Sequence, residues 1–311
     1  MTQPFSQEST LPTVAVFGTG RMGTPIARNL LLSGFPVEVW DHTAAGAAPL
    51  AADGAFLAGS PADAARDADV VLTMLPDGDA VAEVMSEPGG ALAAMRPGST
   101  WIQMGTIGVD WIERCAALAS ANDVELVDAP VSGSDGPARN AELLVLASGS
   151  DSARERVQPI FDAIGRSTMW LGPAGNGTGL KVALNNWIAA QVEGIAETIA
   201  LTDALGIDAR LFVDAIADGP LGSPYAVAKG RAMLAGNFEP GFALRLAFKD
   251  VGLALDAART RNVELPLTEA VARRWEHAIS DGYGNDDVDA VIAVATTATD
   301  RAAVTTGRRR T

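Results

Sequence analysis

From Thr13 to about Ser148, short apolar runs alternate with Ala-rich stretches whose apolar residues recur at helical spacing. This is the pattern of βαβ units built on a mostly parallel sheet. The predicted strands are TVAVF (13–17), PVEVW (36–40), DVVLTML (69–75), STWIQM (99–104), VELVDAP (124–130) and ELLVLA (142–147). Between the first two, Met22, Ile26, Leu30 and Leu31 fall at i, i+4, i+8 and i+9, which predicts one apolar helix face, and Gly34 ends that helix as a C-cap. From about Gly177 the strand-like runs stop. Successive helices follow, broken at Gly206-Ile207-Asp208, Gly219-Pro220, Gly236-Asn237, Pro266 and Gly282 to Gly284.

The junction is expected near GPAGNGTGLK (172–181), ahead of a long helical pattern from about Leu180 to Leu205. A helix of about 25 residues would be about 38 Å long, more than one small domain needs, so it reads as a connector and a dimer surface. The expected organisation is a polar arm at 1–11, a sheet domain at 12–175, an all-helical domain at 176–302 and a short basic tail at 303–311.

Composition narrows the function. The 311 residues are 48% hydrophobic, enough for sizeable cores and two domains. Lys and Arg number 23 against 38 Asp and Glu, a formal charge of −15, which disfavours nucleic acid and anionic lipid as partners. Cys115 is the one cysteine, and His42 and His277 are the two histidines. No disulfide or structural zinc site can be built from that set. No apolar stretch reaches bilayer length, and MTQPFSQESTLP lacks the character of a signal peptide, so a soluble cytoplasmic protein is expected.

The strongest local motif is Gly18-Thr19-Gly20-Arg21-Met22-Gly23, which follows an apolar strand and opens an amphipathic helix. Gly18 permits the tight turn, Gly20 lets the backbone approach a pyrophosphate, Gly23 lets helix and strand pack closely, and the helix N-terminus offers N–H groups to the phosphate charge. The next strand ends in Trp40-Asp41, about 20 residues on, where a carboxylate meets the adenosine ribose hydroxyls. A dinucleotide site on a Rossmann-type, doubly wound sheet domain is therefore expected. A 2′-phosphate would meet the Asp41 charge, and His42 and Thr43 supply no guanidinium, so NAD is preferred over NADP. Asp41 can also be read as a turn cap, and Arg21 as a phosphate ligand or a solvated side chain.

Hydride-transfer chemistry needs a proton donor or acceptor beside the carbinol carbon and a device that fixes the substrate. Lys181 and Asn185 are four apart, hence on one helix face, just after the glycine-rich junction. A lysine in the first turns of a helix lies near the positive dipole end, which lowers its pKa toward a usable range, and partial burial adds to this. Without context the same pair reads as a solvated surface Lys with a helix-face Asn.

With these motifs in order, the sequence resembles the β-hydroxyacid dehydrogenases, a family that includes 3-hydroxyisobutyrate dehydrogenase, tartronate semialdehyde reductase and the glyoxylate or succinic semialdehyde reductases. The resemblance runs from about Val14 to Val294. It rests on Val16-Phe17-Gly18-Thr19-Gly20-Arg21-Met22-Gly23, on Asp128-Ala129-Pro130-Val131-Ser132-Gly133-Ser134, on Gly175 through Gly177 to Lys181 and Asn185, and on Phe248-Lys249-Asp250. It implies that Lys181 is the general acid/base and that Asn185 holds the reacting hydroxyl or the substrate. It further implies that Ser132, Gly133 and Ser134 bind the substrate carboxylate and that Lys249 borders the nicotinamide. Leu75 and Pro76, with Thr106, would line the nicotinamide side of the cofactor. A homodimer or homotetramer acting on a small carboxylate is the implied assembly and chemistry.

Three departures from the family pattern matter. Ser134 replaces a second Gly and is followed by Pro137-Ala138, a form that resembles the glyoxylate and succinic semialdehyde reductase branch. That branch usually prefers NADP, which opposes the expectation from Asp41. Ala141 stands where the family commonly has Gly, so a shifted turn is expected there, and Trp187 either narrows the pocket or is core. The substrate side chain would be set by residues such as Leu244, Phe248, Trp187 and Tyr225. Two other functions fit the same fold: an imine reductase, against which the lysine at 181 argues, and a non-catalytic dinucleotide sensor, which would keep the glycines and lose the lysine.

Overall fold

The computed structural model describes residues 11–295, so all but the last residue of the expected arm at 1–11, the end of the expected helical domain at 296–302 and the tail at 303–311 lie outside the described residues. In chain order the elements of the first part are β1 (Val14–Phe17), α1 (Gly23–Leu32), β2 (Val37–Trp40), α2 (Ala44–Ala52), β3 (Phe56–Leu57), α3 (Pro61–Arg66), β4 (Val70–Thr73), α4 (Gly78–Ser86), β5 (Thr100–Gln103), α5 (Val109–Ala121), β6 (Glu125–Asp128), β7 (Val131–Ser132), α6 (Asp135–Arg139), β8 (Leu143–Ala147), α7 (Asp151–Ile164) and β9 (Gly165–Trp170). The long α8 (Asn176–Ala204) is followed by α9 (Ala209–Ala217), α10 (Pro224–Ala235), α11 (Leu244–Thr260) and α12 (Pro266–Ala278), then by a π turn at Ile279–Tyr283 and a 3-10 helix at Val288–Val294. Two compact units divide within α8, between Lys181 and Val182. The sequence pattern places that division slightly earlier, at 175–176.

In the first unit, six strands form one sheet in the order β3-β2-β1-β4-β5-β6, all parallel. This is the doubly wound arrangement in which β1 and β4 flank the point where strand order reverses. β1 shows why such strands read as continuous apolar runs. Val14 and Val16 enter the core on one face of the sheet, while Ala15 and Phe17 enter the core on the other.

One expectation needs correction. The run ELLVLA does form a strand, β8, but it belongs to a separate three-stranded sheet, β7-β8-β9, antiparallel between β7 and β8 and parallel between β8 and β9. The two sheets meet where Asp128 and Ser148 exchange both backbone hydrogen bonds, at 2.9 and 2.7 Å.

The second unit is all-helical among the described residues, with Trp275 fully buried and its indole N–H donating to Glu193 at 3.0 Å. The breaks fall where the chain chemistry demands. Pro224 and Pro266 occupy first-turn positions of α10 and α12, where the missing N–H costs nothing, and Gly236 ends α10 in the left-handed conformation at φ +63°. α8, at 29 residues, is longer than expected because it begins at Asn176 rather than Leu180, and it spans about 44 Å. No helix among the described residues is long and apolar enough to cross a membrane.

Candidate functional site

The glycine loop lies between β1 and α1, at the switch point of the sheet. Gly18 has φ +88°, and a Cβ there would stand 2.5 Å from the Met74 carbonyl oxygen; at Gly23 it would stand 1.8 Å from the Gly18 carbonyl oxygen. Both glycines are dictated by packing. Gly20 differs: a Cβ there would meet nothing within 4 Å, so its backbone faces open space, and no side chain caps α1. An uncapped helix N-terminus beside an open glycine suits a pyrophosphate, so these residues fit a dinucleotide. Thr19 is buried, Met22 half-buried and Arg21 exposed.

Asp41 sits just past the end of β2, as a ribose-binding carboxylate requires. One carboxylate oxygen accepts the Thr19 N–H at 2.7 Å and its hydroxyl at 3.0 Å, and the other accepts the Thr43 N–H at 2.9 Å and its hydroxyl at 3.0 Å. Burial pushes the Asp41 pKa up, but the hydrogen bonds from Thr43 and Thr19 outweigh it and hold the carboxyl below the ordinary value of 3.8. The turn-cap reading of Asp41 holds, and it leaves a carboxylate kept charged by its own loop. The two threonine hydroxyls can turn away to yield an acceptor position to a ribose hydroxyl.

The turns after β4 and β5 carry Leu75, Pro76 and Thr106. They pack tightly together: a Cβ at Gly105 would stand 2.3 Å from the Leu75 carbonyl oxygen, and one at Gly18 would stand 3.0 Å from Leu75 Cδ2. Beneath them is a buried polar chain. Trp101 Nε1 donates to the Thr73 hydroxyl at 2.9 Å, which donates to Gln103 Oε1 at 2.8 Å, and Gln103 Nε2 donates to the Gly105 carbonyl at 2.7 Å. Fully satisfied networks of this kind fix a turn in one geometry. Pro76 is exposed and Leu75 and Thr106 are half-buried, so these side chains remain accessible above a rigid base.

Ser132 ends β7, and Gly133 and Ser134 lead into α6. Gly133 has φ +132°, and a Cβ would press to 2.9 Å from Leu143 and 3.1 Å from Pro137, so only Gly fits. Gly133 and Ser134 are exposed and Ser132 is half-buried. α6 is tied to α1 by Asn29, whose Nδ2 donates to the Ala138 carbonyl at 2.7 Å. Ala141 stands in the turn between α6 and β8. The alanine takes the left-handed conformation itself, at φ +56°, and β8 begins two residues later.

The start of α8 is held by Asp128, a fully buried carboxylate at the end of β6. It accepts the Thr178 hydroxyl at 2.6 Å, the Thr178 N–H at 2.8 Å, the Gly175 N–H at 3.1 Å and the Ser148 hydroxyl at 3.0 Å. Burial pushes the Asp128 pKa up, and these four donors pull against it. Gly177 has no room for a side chain, since a Cβ would lie 2.3 Å from the Leu146 carbonyl oxygen. Asp128 therefore caps a helix from fifty residues away, three residues before the strand that carries Ser132. Asp128 also takes up a first-turn N–H of α8, part of the positive dipole end on which the expectation for Lys181 leaned.

Lys181, half-buried, lies one turn beyond that clamp, and Asn185, buried, one turn further along α8. Within the second unit Asn185 Nδ2 donates to Asp250 Oδ2 at 2.6 Å, and Lys249 Nζ lies 2.9 Å from Asp250 Oδ1. Asp250 is only 4% exposed, so the Lys-Asp pair is no solvated surface pair. Trp187 is 62% exposed and is not core, whereas Tyr225 packs against the helical core with its ring 5.8 Å from Lys229 Nζ. Cys115 is buried, and burial pushes its thiol up to about 12, which leaves it inert.

Two buried carboxylates beside the candidate residues are given no part by a reading of spacing alone. Asp128 opens the motif 128–134 but draws attention only once its distant partners are known, and Asp250 looks like any charged helix neighbour until its burial is seen. The signal available for Asp128 is a lone acid at the end of an apolar strand.

Known proteins resemble this chain along nearly its whole described length. A family model described as the NAD binding domain of 6-phosphogluconate dehydrogenase matches residues 13–172, and one described as the NAD-binding of NADP-dependent 3-hydroxyisobutyrate dehydrogenase matches residues 175–295. The NAD-dependent L-serine dehydrogenase of Pseudomonas aeruginosa is 31% identical over 285 residues, 89% of this chain and 96% of that protein. The 3-sulfolactaldehyde reductase of Escherichia coli is 32% identical over 282 residues, 90% and 94% of the two chains. The structure of Mycobacterium tuberculosis 3-hydroxyisobutyrate dehydrogenase with L-serine superposes with a TM-score of 0.83 at 31% identity, covering 91% of this chain and 98% of that one.

Proposed function

The chain belongs to the β-hydroxyacid dehydrogenase family and is an NAD(P)-dependent dehydrogenase, and from that premise we propose that it moves hydride between nicotinamide and a small 3-hydroxy acid or its semialdehyde, with Lys181 as general acid/base. The observation that carries this reading is the placement of Lys181 and Asn185 one turn apart on a helix whose first turn is clamped by Asp128.

The loop at 18–23 and Asp41 would hold the dinucleotide, with Leu75, Pro76, Thr106 and Lys249 toward its nicotinamide end. When bound, the cofactor supplies or accepts the hydride. Ser132, Gly133 and Ser134 would bind the substrate's acid group through hydroxyl and backbone N–H donors, which fixes the carbon that gains or loses hydride. Positioning of this kind is worth up to roughly 7–11 kcal/mol of barrier. Neutral Lys181 takes the hydroxyl proton in the oxidative direction, and its ammonium form returns a proton to the carbonyl oxygen in the reductive one. Asn185 holds the reacting hydroxyl or the substrate beside it.

NAD is the preferred dinucleotide in this proposal, because the Asp41 carboxylate is kept charged and repels a 2′-phosphate. The NAD-dependent serine dehydrogenase among the relatives supports this. The substrate class follows the relatives' names, and the anion expected at Ser132–Ser134 suits a carboxylate or a sulfonate alike. We place the enzyme in the cytoplasm as a homodimer or homotetramer, with exposed Trp187 and Leu201 on α8 as interface candidates.

The test follows absorbance at 340 nm with NAD(H) and NADP(H) against 3-hydroxyisobutyrate, 3-hydroxypropionate, glycerate, 4-hydroxybutyrate, glyoxylate, succinic semialdehyde and one cyclic imine. Turnover of an acid or aldehyde with NAD(H) is expected. Turnover of the imine alone would remove Lys181 from this role, and tight cofactor binding without turnover of any compound would favour a sensor.

A further inference from the structure

The two oxygens and one nitrogen at the Asn185–Asp250 contact have only one consistent arrangement. The carboxylate of Asp250, with Lys249 Nζ 2.9 Å from its Oδ1, accepts and does not donate, so the end of the Asn185 amide that approaches Oδ2 at 2.6 Å is its NH2 group. Turning the amide over would set two oxygens against each other at that distance. Asn185 Oδ1 is thereby directed away from Asp250, and it is buried without a hydrogen-bond partner in a side chain only 4% exposed. A buried carbonyl oxygen left without a donor is costly, and such atoms persist where a ligand or a reacting group completes them.

We infer that Asp250 is a positioning residue that locks the Asn185 amide so that its oxygen, an acceptor, is the atom offered to the proton-transfer step. This rests on the reading of Lys181 and Asn185 as the reacting pair. The role is more specific than holding a substrate: with its NH2 group committed to Asp250, Asn185 presents an acceptor, so the group that completes it in the reacting complex is a donor, a hydroxyl or an amine N–H. No atom changes hands at Asn185 or Asp250. The proton passes between hydroxyl and amine, and the hydride between carbon and nicotinamide.

The exchange of donor and acceptor tests this. Asp250→Asn frees the amide to turn, and should lower kcat about tenfold or more while the substrate KM moves less than about threefold. Asn185→Asp sets two carboxylates together and should lose more. The double variant Asn185→Asp with Asp250→Asn rebuilds the hydrogen bond with the donor on 250 and leaves an oxygen facing the reaction, so it should recover most of the kcat lost by Asn185→Asp. A double variant no better than Asn185→Asp, or an Asp250→Asn enzyme with unchanged kcat, overturns the inference. A readout without turnover is the Asn185 side-chain amide in 1H–15N spectra of the cofactor-free protein, assigned by its loss in Asn185→Asp. One of its protons should lie downfield and exchange slowly, and lose both features in Asp250→Asn; an ordinary, fast-exchanging pair in the wild-type protein contradicts the lock. If Lys181→Ala leaves turnover intact, the underlying reading fails instead, whatever the spectra show.

Discussion

Thr178 gives both of its donors to Asp128, its hydroxyl at 2.6 Å to one carboxylate oxygen and its N–H at 2.8 Å to the other, across fifty residues of sequence. This pair joins the end of the parallel sheet to the first turn of α8. It sets where Lys181, three residues after Thr178, stands relative to the strand that leads to Ser132.

Removing the hydroxyl should therefore be felt in stability. Thr178→Val keeps the side-chain shape and leaves Asp128 Oδ1 buried without that donor, which costs about 1.5–3 kcal/mol, whereas Thr178→Ser retains the hydroxyl and should lose less than about 1 kcal/mol. Urea denaturation of the three proteins measures the difference. Equal midpoints for Val and Ser would show that the hydroxyl is not what holds the helix.

Ala141 carries strain that glycine would relieve. An alanine at φ +56° is disfavoured by about 1–2 kcal/mol relative to glycine, partly offset by the greater freedom glycine has in the unfolded chain. Ala141→Gly should raise unfolding free energy by roughly 0.5–1 kcal/mol, a shift readable in a thermal melt. A lowered melting temperature would mean that the turn does not impose this conformation.

Asp41 makes a prediction about cofactor choice and one about pH. Asp41→Ser with His42→Arg removes the negative charge and adds a guanidinium, so the KM for NADP should fall about tenfold or more while that for NAD rises. Unchanged NADP kinetics would remove Asp41 from discrimination. Because the folded-state pKa lies below 3.8, the carboxylate's contribution to stability is fully present above that value and is lost as pH falls through the folded pKa. Preference for NAD should accordingly hold across neutral and mildly acidic pH, which initial rates at a series of pH values will show.

The parts of this fold that can be read from residues alone are those where one local rule dominates. β1, β4 and β5 are buried on both faces and stand out as apolar runs, and Gly18 and Gly23 are required by contacts within a few residues or one strand away. β9 is not legible in that way. Its sequence, GRSTMW, is mostly exposed or half-buried and pairs only because β8 offers it an edge. The assignment of β8 to a second sheet is hidden for a related reason, since strand pairing is settled by tertiary partners and not by the strand's own composition. Among the candidate site residues, Lys181 and Asn185 share a helix face by spacing, while the roles proposed for them come from the family resemblance. Asp128 and Asp250 act through partners 50 and 65 residues away, which no local pattern records.

Lys181→Ala is the most direct test of the proposed chemistry. The variant should bind NAD(H) within about twofold of the wild-type affinity, measured by quenching or enhancement of fluorescence, while kcat for the best hydroxy acid falls by about 10²–10⁴. That separation is the signature of a group that moves a proton and does not hold the cofactor. Undiminished turnover in Lys181→Ala would contradict it and remove the lysine from the mechanism.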